Sequence, residues 1–600
     1  MSIRRGGGRL WKISIPIVVF FVLIAASAAW LQNRAGVIRD ELAAATDLMS
    51  QLKDDVASKD ALAASSATGE LRAHTAAARE AANDPLWTLA TAIPGIGANF
   101  GAISEVTRSA EDVAVLGISP LVDIFSTLKW EKLVPGSSGA DLEAIQEAAP
   151  RIASAAHAVR ESTNRLNAIS VEGLLPQVSE PLIEAREELA ATVGPLDAAA
   201  STTSLVPAMM GSDAPRNYLL MIQNNAEVRS SGGIPGALAV LTLEGGKMSL
   251  TAQSSAADVG SMSPTLAVDP EQKQIYTARL GKYMQDVNLT PDFPTAASTA
   301  QAMWERKTGQ RVQGVLSIDP VVLSYLLSAT GPISLNDSEL AAGVGLPPEL
   351  TSENVVSTLL SDAYVKIKRP EDQDKYFAGV AREIFASLSE GRGDALKLVD
   401  GIVKGVGEGR VLVWSDSSSE QAILAKYPIG GSITGPSVAP AQFGVYFNDG
   451  TGAKMDYYVK RTVQLLGTCS KDGYAQTVVR VISTNTAPPD AATTLPAYVT
   501  GGGVFGVPPG TVQTNLVAYG PAQAHVETAD VDGQKTNFAP HKHGDRPVAV
   551  LAMRLAPGET KSVDFTFDKI VQHTEPNLVV TPTLQPVNEV ILPSKTATCG

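Results

Sequence analysis

RNYLLMIQNNAEVRSSGGIPGALAVLTLEGGK, residues 216–247, is the stretch around which the chain is organised. Residues 218–223 form a short apolar run, the pattern of a buried strand. Gln223, Asn224, Asn225, Glu227, Arg229, Ser230 and Ser231 follow, and Gly232-Gly233 completes a polar, glycine-rich loop. Residues 237–243 are β-prone, and Glu244-Gly245-Gly246-Lys247 is a hairpin turn. Such a loop can turn backbone N–H groups toward an anion, with Arg229 adding bidentate phosphate recognition. The plainer alternative is a glycine-rich bulge with a surface arginine.

Downstream, residues 272–287 are expected to form a short helix. Pro294 opens another that runs to Lys307 and is closed by Gly309. Residues 314–319 form a strand, after which Asp319 caps a helix starting at Pro320 and stopping at Gly331. This alternation implies an α/β domain. Helices over 353–366, 371–390 and 395–404 and a strand over 410–415 continue it, and Ser418-Ser-Glu-Gln421 reads as a capping box. Lys366, Lys368 and Arg369 make a local basic cluster, read as a solvated helix end with phosphate contact as the alternative. From Gln442 onward, runs at 456–466, 476–484, 516–519, 547–554 and 561–567 lie between turn residues, as in an antiparallel sandwich. His525, His541 and His543 are read as exposed loop residues; their spacing gives little support to a metal site.

Upstream, residues 1–12 carry Arg4, Arg5, Arg9 and Lys12 and no acid, and residues 13–31 carry no charge. That length crosses a bilayer as a helix, with the basic flank in the cytoplasm and Trp11 and Trp30 as interfacial anchors. A cleaved signal peptide is the alternative, because Ala26-Ser27-Ala28 offers small residues after the apolar stretch. Residues 34–84 have helical spacing and end at Asn83-Asp84-Pro85, which predicts one amphipathic helix rising from the membrane. Further helices are expected over 99–116, 139–169 and 181–201. The segment 85–100, PLWTLATAIPGIGANF, is read as a buried inter-helix connection; contact with the membrane or closure of a hydrophobic site are the alternatives.

Together these patterns predict a multidomain α+β protein. Its parts are a cytoplasmic tail (1–12), a transmembrane helix (13–31), an extracellular helical stalk or bundle (32–204), a central α/β domain (205–435) and an antiparallel β-sandwich (442–600). Six hundred residues exceed one core, and the net charge of −14 argues against nucleic acid as a partner. Cys469 and Cys599 suit one disulfide in an oxidising compartment, or two independent thiols. The sequence has no Gly-x-Ser-x-Gly, no HExxH, no P-loop and no cysteine close to a histidine.

The motif 216–247, with NLTPDFPTAA at 288–297 and VQGVLSIDPVVLSYLLSATGPISL at 312–335, resembles the bacterial family 4012 of domains of unknown function. The order of these segments is also distantly similar to the LytR–CpsA–Psr phosphotransferases, which attach polymers carried on polyprenyl pyrophosphate to peptidoglycan. That similarity implies a LytR–CpsA–Psr-like central domain and a ligand site drawn from Asn224, Asn225, Arg229, Ser231, Gly232, Gly233, Asn288 and Asp292. The chain departs from the pattern where acids are expected, carrying Asn224 and Ser231 there. The expected function is a membrane-anchored, extracytoplasmic envelope protein binding a phosphorylated polyprenyl lipid or an envelope glycopolymer. An active phosphotransferase, with Mg²⁺ on Asp292 or Asp319, and a structural or adhesion protein acting through its sandwich are the alternatives.

Overall fold

The computed structural model describes residues 11–129, 132–133, 139–335, 343–471 and 473–596, with backbone alone at 11–18 and 469–471. The basic tail, the Trp11 side chain and the expected Cys469–Cys599 bridge therefore lie outside what is described. The chain divides into two compact units, Met1–Lys129 with Leu142–Ala208 and Trp130–Asp141 with Met209–Gly600.

The first unit is helical. Its first helix, α1 (Trp11–Ala57), has 47 residues and so a length of roughly 70 Å. Among the described residues it is the one helix long and apolar enough to cross a membrane. The single helix expected over 34–84 is instead a hairpin. Lys59 adopts a positive φ of 62°, and Asp60 caps α2 (Ala61–Ala82) by accepting from the Ala63 N–H. The break is local chemistry: Ser58, Lys59 and Asp60 prefer a turn and cap over another helical turn. Buried Ala45, Ala64, Ala67 and Ala78 let the two helices approach closely. Next come α3 (Pro85–Ala90), α4 (Gly97–Asp112), a π-helical segment (Val113–Ile118), α5 (Ser119–Thr127), α6 (Leu142–Asn167) and α7 (Pro176–Met209). Arg165 of α6 ties back to α4 through Glu105 at 2.7 Å and Asp112 at 2.6 Å.

The second unit opens on β1 (Arg216–Arg229), β2 (Gly232–Glu244) and β3 (Lys247–Ser255). After α8 (Phe293–Thr308) come β4 (Gly314–Ile318), α9 (Pro320–Thr330), α10 (Pro370–Ser389), α11 (Ala395–Gly407) and β5 (Leu412–Ser415). The sheet runs β3-β2-β1-β4-β5, with β1 and β4 parallel and the other pairs antiparallel. Leu219, Met221, Leu238 and Val240 meet Ala296, Ala300, Met303 and Trp304 of α8 on one face. Tyr218, Leu220 and Leu241 meet Phe385 of α10 on the other. Asp319 caps α9 as expected from sequence; α8 starts at Phe293, one residue before the expected Pro294, and Asp292 is its cap. The expected capping box at Ser418 does not form. Ser417 holds the N-cap position without a side-chain cap bond, and Glu420 instead accepts from Arg216 and Ser415.

Two further sheets follow. Their strands are β6 (Gln442–Asp449), β7 (Val459–Lys471), β8 (Tyr474–Asn485), β9 (Val512–Tyr519), β10 (His525–Val531), β11 (Gln534–Thr536), β12 (Ala539–His543), β13 (Arg546–Leu555), β14 (Thr560–Ile570), β15 (Asn577–Val580) and β16 (Ile591–Lys595). One sheet is ordered β11-β10-β14-β8-β7-β16 and the other β12-β13-β9-β6-β15. They share a core in which Phe443, Phe447 and Leu516 meet Val463, Val479, Phe565 and Phe567. The pairing is not wholly antiparallel: β15 joins β6, and β16 joins β7, in parallel. Val228, near the end of β1, belongs to this second core. The β1–β2 hairpin thus starts in the central sheet and ends among the later strands.

That reach needs the glycines at its tip. Gly233 lies where β2 crosses the backbone of β1, and a Cβ there would stand 2.1 Å from the carbonyl carbon and oxygen of Asn224. Gly233→Ala should lower the stability of the full chain by about 3 kcal/mol, because backbone rather than a yielding side chain is in the way. Thermal unfolding followed by circular dichroism checks this; an unchanged midpoint would refute the crossing geometry.

Candidate functional site

The residues expected to form a polar loop are mostly strand. β1 continues through Arg229, and a two-residue turn, Ser230-Ser231, leads directly into β2. Pairing slips between Asn224 and Val228, so Asn225, Ala226 and Glu227 have no partners on β2 and form a bulge. A bulge re-aims side chains, and here it aims them inward. Asn224, Asn225, Glu227, Arg229 and Ser231 are all buried, with Arg229 only 5% exposed.

Each side chain meets groups from distant parts of the unit. Asn224 Nδ2 donates to the Tyr364 hydroxyl at 2.5 Å, and its Oδ1 accepts from Ala226 N–H at 3.0 Å. Asn225 Nδ2 donates to Asp319 at 3.1 Å and to the Pro582 carbonyl at 3.2 Å. Arg229 donates to Glu227 at 3.0 Å, to the Val228 carbonyl at 3.0 Å and to Asp286 at 3.5 Å. Glu227 also takes Lys454 Nζ at 3.0 Å, and that ammonium sits between the rings of Tyr364 and Tyr498. Ser231 lies 3.5 Å from Gln223 Nε2, and Gly233 N–H donates to Gln223 Oε1 at 2.7 Å. Gly232, at φ +138°, leaves the space that this Gln223 oxygen occupies. Asn288 donates to the Gly233 carbonyl at 2.6 Å.

Asp292 and Asp319 have structural partners as well. Asp292 accepts from the Thr295 hydroxyl at 2.6 Å as it caps α8. Asp319 caps α9 and accepts from Arg410 Nη1 at 2.6 Å, while Arg410 also donates to the Thr583 carbonyl at 2.7 Å. Among the described residues there is no group of three or more His, Cys, Asp or Glu side chains placed to hold a metal. His541 and His543 stand on β12 rather than in a loop, and His525 on β10 pairs with Asp568 at 2.9 Å. Around Lys366 and Arg369 the basic groups pair with Asp362, Glu371 and Asp372.

The electrostatics follow from burial. Burial alone would raise the Glu227 carboxyl, but Lys454 and Arg229 outweigh it and hold the group below the usual carboxylate range. Burial likewise opposes the Arg229 charge, and Glu227, Asp449 and Asp286 overcome it. Asp449 differs: burial, then Asp456 and Glu227, push its carboxyl up to about 7. The loop that follows it supplies Thr451 N–H, Thr451 Oγ1 and Gly452 N–H as donors. Lys454 and Asp286 were not legible as members of this cluster, because they lie 227 and 57 residues from Glu227 and Arg229, their partners on β1; Arg410 reaches the cluster only through Asp319, 91 residues away. Chemically, the arrangement neutralises charge and clamps backbone; its guanidinium faces carboxylates. An apolar cavity of about 380 Å³ lies elsewhere, in the helical unit, lined by Met49, Leu52, Val56, Ile118, Leu121 and Phe125.

The fold and cluster define a mixed α+β protein with one N-terminal helix able to span a membrane. Residues 213–364 match the family described as "Protein of unknown function (DUF4012)", which places the hairpin and its partners Asp286, Asp319 and Tyr364 within that family's domain. Lys454, Arg410 and Pro582 come from outside the matched span. No curated protein and no solved structure matches the chain.

Two predictions follow the electrostatics. Arg229→Ala leaves Glu227 and Asp286 facing one cation fewer in a buried site, so unfolding should show a loss of about 3–5 kcal/mol. Asp449 has a folded pKa above its unfolded one. Its contribution is therefore full below about pH 4 and is lost as pH rises through about 7. Asp449→Asn should raise stability more at pH 8 than at pH 5, the difference being on the order of 2 kcal/mol, read from denaturant midpoints at both pH values.

Proposed function

We propose that this chain is a single-pass, extracytoplasmic cell-envelope protein that works by binding and not by catalysis, in surface polysaccharide or cell-wall assembly. In this reading α1 is a retained plasma-membrane anchor with a cytoplasmic N-terminus, and both compact units face outward. The asymmetry of charge supports the orientation: four basic residues and no acid precede the apolar span.

The observation that carries the non-catalytic reading is the internal pairing of Arg229. A phosphorylated polyprenyl lipid at this guanidinium would have to displace Glu227 and Asp286 and leave both carboxylates buried without that partner. The same argument weighs against a LytR–CpsA–Psr-type phosphotransferase with Mg²⁺ on Asp292 or Asp319, since these carboxylates serve as helix caps. We therefore read the last part of the chain as a β-sandwich that contacts an envelope polymer or protein. Its most conspicuous surface is the 501–506 loop, where Val504 is 79% exposed beside exposed Phe505.

The test uses full-length protein in detergent and isolated cell-wall material. The wild type should co-sediment, Val504→Ser/Phe505→Ser should lose most of that binding, and the thermal midpoint should stay the same. A separate titration with polyprenyl pyrophosphate should show no saturable binding. Tight lipid binding that is abolished in a folded Arg229→Lys variant would restore the lipid-carrier reading and overturn ours.

A further inference from the structure

We propose that residues 86–96 form a membrane-contact foot, with Leu86, Leu89, Ile93 and Ile96 seated in the headgroup–acyl boundary of the leaflet from which α1 emerges. The inference rests on the reading of α1 as the anchor and adds a second point of membrane attachment.

The register of α2 on α1 fixes the height of this segment. Starting from the turn at 58–60, Leu52 lies with Ala64 and Ala67, and Ala45 with Leu71. Lower down, Glu41 meets His74 at 2.6 Å, and Ile38 clusters with Ala81 and Ala82. At the bottom of this ladder Asp84 accepts from Trp30 Nε1 at 3.1 Å and pairs with Arg34 at 3.4 Å. Residues 86–96 follow that point directly in sequence, and Trp87 among them joins Ile38, Ala81 and Ala82 in one cluster with Leu31, the last residue of the uncharged span, packed against it. Trp30, itself exposed, is the type of residue that marks a bilayer interface.

The segment has the composition and shape for this position. No charged residue occurs between Asp84 and Glu105. Trp87 is buried; its Nε1–H donates to the Phe100 carbonyl at 3.2 Å and to Ser104 Oγ at 3.1 Å, and its ring stands edge-on to Phe100. That internal anchor leaves the other large apolar side chains outside: Leu89 is 68% exposed, and Leu86, Ile93 and Ile96 are exposed with it. The turn at 91–96 is fixed by Gly95 at φ +86° and by Gly97, where a Cβ would stand 2.1 Å from the Thr91 carbonyl oxygen. The opposite end of the hairpin is Ser58-Lys59-Asp60, a polar turn suited to water. Four exposed apolar side chains in a charge-free stretch next to the span, against a Ser-Lys-Asp turn flanked by exposed Val56 and Leu62 at the other end, select a lipid surface as the occupant.

The test is site-specific photo-crosslinking of the full-length protein in phosphatidylethanolamine–phosphatidylglycerol vesicles. Benzoylphenylalanine replaces Leu89 or Ile93, Phe21 in the span, or Leu62 near the far turn, which is 86% exposed. Lipid adducts at 89 and 93 of the same order as at 21, with background at 62, are expected. Adducts at 21 but none at 89 or 93, or adducts there to a second copy of the chain, overturn the foot and leave the anchor standing. Loss of adducts at 21 overturns the anchor itself, and the proposal with it.

Discussion

A carboxylate held between two cations inside the protein, Glu227 between Arg229 and Lys454, is the interaction on which the second unit depends. A lone buried charge is costly, so each partner must stay in place for the others to be tolerated. The arrangement requires the bulge at 225–227, because an unbroken ladder would aim alternate side chains to opposite faces. It requires glycine at 232 and 233, where β2 passes against the bulged strand. It also requires the strands after residue 442, since they deliver Lys454, and Asn448 to the Ser230 N–H. One ionic contact thereby links a local backbone irregularity to the joining of central sheet and later strands.

This changes what the motif means. A polar, glycine-rich stretch with an arginine has the residue types of an anion cradle, but the same types suit a buried junction. The two differ in whether the carboxylates that neutralise the arginine belong to the protein or to a ligand. Here they belong to the protein, as Glu227 and Asp286. Asp449 adds a further constraint, because a carboxyl pushed up to about 7 beside Asp456 and Glu227 makes the junction's net charge depend on pH near neutrality.

What could be read from the residues was local. Pro294 and Gly309 bound α8, and Asp319 with Gly331 bounds α9, because caps and breakers act within a turn of the helix end. The long strand β1 was not legible past Gln223. Besides near neighbours, its polar residues face partners 57 to 357 residues away, and no short window of sequence contains those. The α1–α2 hairpin was missed for a different reason: alanine-rich helices keep their periodicity across a three-residue turn, and only Asp60 as a cap marks the break. The sheet edges β15 and β16 are short and join in parallel, so neither alternation nor a hairpin turn announces them.

The two ends of the α1–α2 hairpin show how placement, and not residue type alone, decides what an exposed apolar side chain means. Leu62 is exposed beside a polar turn, with exposed Val56 on the other side of that turn, as scattered surface apolar residues commonly are. Leu89 is exposed among three other apolar residues, within a stretch free of charge, and next to the helix able to span a membrane. A single helix crossing a bilayer resists neither tilt nor rotation strongly, since its lipid-facing surface is apolar all round. A second apolar contact joined to it through Asp84, Trp30 and Arg34 would fix both, and would hold the helical unit at a defined angle to the surface.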